Sequence, residues 1–207
     1  MDKSEAWKKE LEKTLVVLKP DAVKRGLVGQ IIQRFERIGL KMVACKMIQP
    51  TPEQTKVNYP DPQKDKDWVK KMGEKTLKTY GEYQRDVVAE LGTADPYELG
   101  MKVFQKLIEY WTSGPVIVMV WEGHQAVRKV RELAGSTTPT QASPGTIRGD
   151  YSFDSQILAN VQGRVVVRNL IHISEDVAEA EREIENWFGK KAHFESYERI
   201  DYAPMFE

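Results

Sequence analysis

His172 is the residue of this sequence whose surroundings best suit nucleophilic chemistry. It closes a strand predicted over 164–171, and Ser174 stands two residues beyond it. An imidazole is mostly neutral near pH 7 and attacks as a nucleophile when a neighbouring group orients the ring. Glu183, which flanks the apolar stripe of the helix predicted to follow, is the candidate for that group. A lone histidine at a strand end is more often structural, so both interpretations stand at this point.

Neither the other histidines nor the cysteine indicates a metal site. His124 and His193 lie in polar segments and are interpreted as surface or capping residues. No His-x-x-x-His or Cys-x-x-Cys spacing occurs, and Cys45 is the single cysteine. The sequence therefore predicts no metal held by protein ligands, and it contains neither a P-loop lysine motif nor Gly-x-Gly-x-x-Gly.

Two cations stand at positions that suit a bound anion. Lys19 ends a buried-looking strand immediately before Pro20, where its side chain can point into a crevice at the strand end. Arg131 lies near the edge of the apolar face of a predicted helix, so its guanidinium needs an internal carboxylate or a bound anion. Lys19 is also consistent with a solvated strand end, because most charges are solvated. With 31 basic and 31 acidic residues the chain has no overall basic field, so any anion site must be local.

Segment 143–150 combines groups that suit phosphate oxygens. It reads Ser-Pro-Gly-Thr-Ile-Arg-Gly-Asp, which places two glycines, hydroxyls and Arg148 close together. Backbone N–H groups, a hydroxyl and a planar guanidinium all bind phosphate oxygens. The alternative is a structured turn, and this pattern alone does not decide between the two.

Hydrophobic periodicity predicts the elements that must position these residues. Four β-rich runs predict strands over 14–18, 40–48, 115–121 and 164–171. Helical spacing of apolar residues predicts helices over 28–38, over 125–134 and after Asp176, where Glu179 stands at a capping-box spacing. Between the second and third strands, residues 60–114 are Lys-rich and helix-prone, and Asp95, Pro96 and Glu98 mark a helix start there. This order predicts an α+β fold, with an antiparallel sheet and helices on one face.

Composition excludes several classes of protein. The chain has 207 residues, of which 41% are hydrophobic and 30% charged, so we expect one globular domain. The longest apolar run, Pro115–Trp121, is too short to span a bilayer, which takes about 18 residues. The segment Met1–Lys13 mixes charges where a signal peptide needs an apolar stretch. We therefore expect a cytoplasmic protein without a membrane partner, and zero net charge argues against a nucleic-acid partner.

Six blocks of this sequence, in order along the chain, resemble the nucleoside diphosphate kinase family. The blocks are Leu18–Val23, Arg25–Gly29, Ser113–Val116, Met119–Gly123, Pro144–Asp150 and Asn169–His172. They leave out the N-terminal dozen residues and two insertions, at about 60–102 and 151–163. The resemblance implies a single ferredoxin-like domain over 1–207, with an antiparallel four-stranded sheet covered by helices. It also implies transfer of the γ-phosphate of a nucleoside triphosphate to a nucleoside diphosphate through a phosphohistidine.

The resemblance further implies roles for individual residues. His172 matches the nucleophile, and four residues match the groups around it: Lys19, Tyr59, Ser174 and Glu183. Five residues match the groups that bind phosphates and sugar: Lys19, Arg131, Thr137, Arg148 and Asn169. Such a site suits phosphoryl transfer, because the protein must position the donor and neutralise charge on the equatorial oxygens.

The base contacts and the cofactor follow from the same resemblance. Leu107 is expected to give an apolar contact with the base, and Val166 to form the opposite wall. Phe104 is the candidate for the ring that stacks on the base, although counting along the chain places Val103 at that position. Mg²⁺ would arrive with the nucleotide, helped through water by Glu175. Nucleoside triphosphates and diphosphates are the expected ligands, and the family implies a homo-oligomer.

One departure from the family pattern and two alternative functions remain. Ile173 stands where the family usually has a small residue, and a β-branched side chain does not readily take positive φ. A nucleotide-binding module without turnover is one alternative, but it has no need for all of His172, Lys19 and the phosphate ligands. A nucleic-acid-binding protein is the other, and the balanced charge argues against it.

Overall fold

A four-stranded antiparallel sheet organises the part of the chain that the structure, a computed structural model, describes: residues 11–194 and 197–200. The strands are β1 (Leu11–Leu18), β2 (Lys41–Ile48), β3 (Val116–His124) and β4 (Ile171–Ile173), in the order β2-β3-β1-β4. β1 pairs with β3 along its whole length and with β4 at three positions. This topology confirms the predicted ferredoxin-like α+β fold.

Helices occupy most of the connections between the strands. They are α1 (Pro20–Lys24), α2 (Val28–Arg37), α3 (Pro52–Lys56), α4 (Lys66–Glu82), α5 (Val87–Leu91), α6 (Pro96–Trp111), α7 (Ala126–Ala134), α8 (Ile147–Tyr151), α9 (Gln156–Val161) and α10 (Val177–Phe188). The Asp95 side chain caps α6, and that of Asp176 caps α10, as their spacing predicted. In a capping box the Glu179 carboxylate would accept from the backbone N–H of Asp176. Here it accepts from the backbone N–H of Glu175, one residue earlier.

Helices cover both faces of the sheet, so the prediction of helices on one face is wrong. Leu18 and Val16 of β1 pack into a cluster with Phe35 of α2. Their neighbours Leu15 and Val17 point to the other face, into a second cluster that contains Trp111 and Trp187. A strand buried on both faces carries a continuous apolar run instead of an alternating one, and Leu-Val-Val-Leu is such a run.

The fourth strand is much shorter than predicted. β4 comprises three residues, and 164–170 is an irregular segment that approaches the end of β1. Val165 and Leu170 have φ values of 62° and 69°, which break the extended conformation. Asp154 accepts a hydrogen bond from the Arg168 backbone at 2.7 Å, so a side chain takes a donor that a strand would use. The apolar run was therefore a misleading signal for a strand.

Helices α4 and α6 form a close-packed hairpin between β2 and β3, where the helical insertion is predicted. A Cβ on Gly73 would lie 1.8 Å from the Pro96 carbonyl oxygen, and one on Gly100 would lie 2.0 Å from that of Val69. The two backbones approach this closely because both positions lack a side chain.

Membrane insertion through a helix is not indicated by the described residues: none of their helices is long and apolar enough to cross a bilayer. The expectation about a signal peptide concerns Met1–Lys13, and most of that segment lies outside the described residues.

Candidate active site

An open cleft of about 720 Å³ lies where the ends of β1 and β4 face α7 and the α4–α6 hairpin. It brings together most of the residues that the sequence predicted for the site. Those that line it are Lys19, Tyr59, Leu107, Arg131, Thr137, Arg148, Val166, Asn169, His172 and Glu175. Ser174 and Glu183 are buried beside the cleft, and Glu183 contacts the imidazole of His172.

A buried carboxylate orients the His172 ring. The Nε2 atom lies 2.5 Å from Oε1 of Glu183, and the Ser174 hydroxyl donates to Oε2 of the same carboxylate at 2.7 Å. Glu183 and Ser174 are both fully buried. A carboxylate in this position accepts the Nε2 proton, so the neutral tautomer keeps its lone pair on Nδ1. The arrangement therefore leaves Nδ1 as the nitrogen with a free lone pair.

One aromatic ring packs against the imidazole of His172. The Trp111 ring meets that of His172 edge to face, with centroids 5.4 Å apart. Its indole N–H donates to the Tyr59 hydroxyl at 2.8 Å. Burial raises the pKa of Tyr59, so its phenol stays neutral and adds no negative charge to the cleft.

Lys19 is a buried cation at the end of β1. Its Nζ donates to Oδ1 of Asn169 at 2.8 Å, and Nδ2 of Asn169 donates to the Thr137 carbonyl at 2.9 Å. Burial, followed by the charge of Arg148, lowers the pKa of Lys19 to about 7. The ammonium therefore carries a charge that its surroundings do not fully compensate, and a bound anion would restore its protonation.

Arg148 is held by backbone carbonyl groups. Its guanidinium donates to the oxygens of Gly135 at 2.7 Å, Ile171 at 2.8 Å and Asn169 at 3.2 Å. Burial lowers its pKa to about 10, and no carboxylate among the described residues is bonded to it. Carbonyl dipoles fix the orientation of the group but do not neutralise it, so this position also suits an anion.

The last two predicted phosphate ligands stand at the mouth of the cleft. Arg131 and Thr137 are both exposed. The nearest carboxylate recorded for Arg131 is that of Glu175, with 3.9 Å between Nη2 and Oε1. This pair is long and solvent-exposed, so it constrains the arginine weakly. Arg131 can therefore turn toward a phosphate without breaking a strong ion pair.

Phe104 is the predicted residue that the structure does not bring to the cleft. It is 6% exposed, and its ring packs edge-on against Tyr59 and Trp68. Val103, the position given by counting along the chain, lines the cleft instead. The spacing of α6 explains the difference, since adjacent residues on a helix point about 100° apart.

Sequence reasoning missed a row of residues on α4 that also lines the cleft. Trp68, Met72 and Lys75 occur at positions i, i+4 and i+7, which places them along one side of the helix. That spacing was visible in the sequence. However, the orientation of this side toward the cleft depends on the packing of α4 against α6.

Acidic side chains lie beside the cations of the cleft. Among residues 11–194 and 197–200, no group of three or more His, Cys, Asp or Glu side chains could hold a metal ion. Glu175 and Glu179 line the cleft, so a carboxylate is available beside the predicted phosphate ligands.

Comparison with known proteins identifies the family. The family model for nucleoside diphosphate kinase matches residues 12–79 and 97–193. The nucleoside diphosphate kinase of Pyrobaculum aerophilum is 53% identical over 178 residues, which are 86% of this chain and 95% of that protein. The unmatched residues 80–96 hold α5 and its flanks.

Solved structures agree with the sequence comparison. A crystal structure of the Pyrobaculum aerophilum kinase has a TM-score of 0.81 at 51% identity and covers 87% of this chain and 97% of its own. A transition-state mimic of the Borrelia burgdorferi kinase, with bound vanadate and ADP, has a TM-score of 0.71 at 35% identity and covers 95% of this chain and 97% of its own. On the sequence match and the shared fold together, this chain belongs to the nucleoside diphosphate kinase family.

Proposed function

We propose that this nucleoside diphosphate kinase moves the phosphoryl group through Nδ1 of His172. The observation that carries the proposal is the bond from His172 to the buried Glu183 carboxylate, which leaves Nδ1 as the unprotonated nitrogen. In the same cleft lie Lys19, Arg131 and Arg148, cations without strong carboxylate partners. A nucleophile beside such a set is suited to attack on a phosphate.

The reaction has two balanced halves. In the first, Nδ1 attacks the γ-phosphorus of a nucleoside triphosphate, an N–P bond forms, the bond to the β–γ bridging oxygen breaks, and the diphosphate leaves. In the second, a β-phosphate oxygen of another diphosphate attacks the phosphohistidine and the N–P bond breaks. Glu183 stabilises the positive charge that develops on the imidazole, and Ser174 holds the carboxylate in place.

We assign the remaining side chains to positioning. Lys19, Arg131, Thr137 and Arg148 bind phosphate oxygens, and Asn169 holds Lys19 while facing the sugar. ADP binding is inferred from the Borrelia burgdorferi relative, which was solved with ADP and vanadate. Mg²⁺ bound to the phosphates would neutralise part of their charge, and Glu175, which lines the cleft, would contact its water shell. Leu107 and Val166 contact the base from opposite sides.

We also propose that the protein is a homo-oligomer in the cytoplasm. β2 is an edge strand of the sheet, and Met47 on it is 57% exposed. An edge strand with exposed apolar side chains is a surface that another chain can cover. The single cysteine, Cys45, agrees with a reducing compartment. Light scattering on the eluate of a sizing column measures the oligomeric state, and a monomer at micromolar concentration would contradict it.

The test of the function is transfer of label from ATP labelled at the γ-phosphate. With Mg²⁺, we expect the purified protein to acquire a label that acid removes and that added nucleoside diphosphate takes up. His172→Ala should abolish the label. His124→Ala and His193→Ala are matched controls and should keep it, since neither residue lines the cleft. Label that persists in His172→Ala would place the nucleophile elsewhere.

A further inference from the structure

The inserted segment 151–163 reaches the cleft through the side chain of Gln156. This residue begins the short helix α9, and it lines the cleft together with the three valines at 165–167. The same helix contacts α4, so the insertion connects the valine segment to the α4–α6 hairpin across the cleft. The phosphoryl transfer proposed above gives Gln156 no role.

An ion pair and a helix cap hold the insertion in one conformation. The buried Asp154 carboxylate accepts from both terminal nitrogens of the Arg164 guanidinium, at 2.8 and 2.9 Å, and so ties the two ends of the insertion together. The Ser155 hydroxyl accepts from the backbone N–H of Leu158 and caps α9. Bidentate pairing and capping of this kind both restrict the backbone. Gln156 is therefore presented to the cleft from a fixed position.

Two acceptors fix the orientation of the Gln156 carboxamide. Its Nε2 donates to the Val165 carbonyl oxygen at 2.7 Å and to Oδ1 of Asn160 at 3.1 Å. A carbonyl oxygen only accepts, so the atom that faces Val165 must be the nitrogen, and both of its N–H groups are then used. The other atom, Oε1, has no hydrogen-bond partner among residues 11–194 and 197–200, and it is not one of their enclosed polar atoms. Gln156 thus offers the cleft one unused acceptor.

The same side chain supports the valine segment. Val165 has a φ of 62°, which a β-branched residue rarely adopts. Its carbonyl accepts from Gln156, and its backbone N–H donates to the Ala159 carbonyl at 3.3 Å, so α9 contacts this peptide at both ends. A strained conformation persists only where its surroundings hold it in this way. A test of Gln156 must therefore separate ligand contact from support of Val165.

The arrangement of the cleft determines which part of a nucleotide would meet Oε1. Lys19, Arg131 and Arg148 belong to β1, α7 and α8, so the phosphates would lie at that end and the base between the hairpin and the valines. In ADP and CDP an exocyclic amino group lies on the ring edge farthest from the glycosidic bond. In inosine diphosphate (IDP) and UDP a carbonyl oxygen occupies that position. An amino group donates to Oε1, whereas a carbonyl oxygen cannot.

We propose that Oε1 of Gln156 accepts a hydrogen bond from the exocyclic amino group of the base, so that the cleft favours amino-bearing bases over their oxo counterparts. This inference rests on the proposed function, since it takes the cleft to be the nucleotide site. The phosphate ligands and the apolar walls do not distinguish an amino group from an oxo group. The preference is therefore a property of the insertion.

Calorimetry with two matched pairs of nucleotides, ADP with IDP and CDP with UDP, tests the inference in the presence of Mg²⁺. The members of each pair share one ring system, so apolar contacts contribute almost equally to both. We expect the wild type to bind the amino member of each pair about 3–10-fold more tightly, which corresponds to one hydrogen bond. Gln156→Leu should bring both ratios to about 1, since it removes the acceptor. Gln105→Leu is the matched control and should keep them, because Gln105 is exposed on α6 and does not line the cleft.

A purely structural role of Gln156 gives a different result. Loss of support for Val165 alone would weaken all four nucleotides by a common factor and leave both ratios as they are in the wild type. Ratios that persist in Gln156→Leu would therefore overturn the inference. Ratios near 1 in the wild type would also overturn it, and that measurement decides the matter even if the variant fails to fold.

These measurements do not require turnover, so the proposed function is judged separately. A protein that acquires label from γ-labelled ATP but binds ADP and IDP equally would overturn the assignment of Gln156 alone. A protein that prefers ADP to IDP but acquires no label would contradict the proposed phosphohistidine and support the assignment of Gln156.

Discussion

At the scale of single residues, Glu183 combines full burial with two hydrogen-bond donors. A buried carboxylate is costly unless its oxygens are satisfied, and here one accepts from Ser174 and the other faces Nε2 of His172. The same bonds that permit the burial therefore set the tautomer of the ring. This links the packing of α10 directly to the reactivity of the histidine.

Glu183→Gln tests that link. The amide can present an N–H to Nε2, which would move the ring proton to Nδ1 and remove the nucleophilic lone pair. We expect the rate of phosphohistidine formation to fall by about 100-fold or more, because the substitution also removes the charge that stabilises the imidazolium. Rapid-quench measurement of label incorporation from ATP checks this. Glu181→Gln, an exposed residue on the same helix, is the control, and equal rates in the two variants would contradict the assignment.

The lowered pKa of Lys19 predicts that nucleotide binding depends on pH. Its pKa is lowered to about 7 in the free protein, so near pH 7 it is only partly protonated. Bound phosphates favour the ammonium and raise that pKa, so nucleotide binding must take up protons at and above pH 7. We expect uptake of up to about one proton, and ADP affinity that falls as the pH rises from about 7 to 9. Calorimetry in buffers of different ionisation enthalpy measures the uptake.

Lys19→Met supplies the comparison for that experiment. The phosphate of ADP also titrates, and that contribution remains when the lysine is removed. The difference in proton uptake between the two proteins therefore belongs to Lys19. An identical uptake in both would mean that the lysine is fully charged before the nucleotide binds.

At the scale of elements, the α4–α6 hairpin depends on glycines at its contact. A methyl group at Gly100 would lie 2.0 Å from the Val69 carbonyl oxygen, a backbone atom that cannot move by rotation of a side chain. We expect Gly100→Ala to lower the free energy of unfolding by about 1–3 kcal/mol, despite the better helix propensity of alanine. Urea denaturation followed by circular dichroism measures this change.

Gly81→Ala is the control on the same hairpin. A Cβ at Gly81 meets no atom within 4 Å, so the substitution changes the propensity of α4 without a clash. We expect it to be neutral or slightly stabilising. Equal destabilisation by both variants would show that the hairpin responds to helix propensity and not to the close approach of its backbones.

Local signals in the sequence predicted some elements well and others poorly. The cap at Asp95 and the apolar run of β1 lie within the elements that they specify, so both could be predicted. The run before His172 could not, because Leu170 takes a positive φ where its backbone N–H donates to the side chain of Asp21, which is far away in the sequence. The same limit applies to the site. The family motifs located His172 and the cations. The burial of Phe104 and the position of Trp68 in the cleft could not be predicted in this way, because both depend on how α4 and α6 pack together.

At the scale of the whole molecule, we expect the buried cations of the proposed phosphate site to reduce the stability of the free protein. Lys19 and Arg148 are both buried, and burial together with the charge of Arg148 lowers the pKa of Lys19. In the unfolded chain that pKa returns to its ordinary value, so between about pH 7 and 10.5 the unfolded chain binds more protons than the folded one. The contribution of Lys19 to the free energy of unfolding therefore becomes more favourable as the pH rises through that window. Below about pH 7 the lysine is charged in both states, and its burial destabilises the folded protein to the full extent.

Lys19→Met should consequently stabilise the protein while it disables the site. Methionine fills a similar volume without a charge, so we expect the Tm without nucleotide to exceed that of the wild type at pH 6 and the difference to shrink at pH 9. Saturating ADP should reverse the order, because a ligand at 100 times its Kd stabilises the wild type by about 2.7 kcal/mol and the variant binds it poorly. Thermal unfolding at both pH values, with Lys70→Met as an exposed control, measures these shifts. A variant less stable than the wild type at pH 6 would mean that Lys19 contributes more through its bond to Asn169 than its burial costs, and the phosphate site would then not be a source of instability.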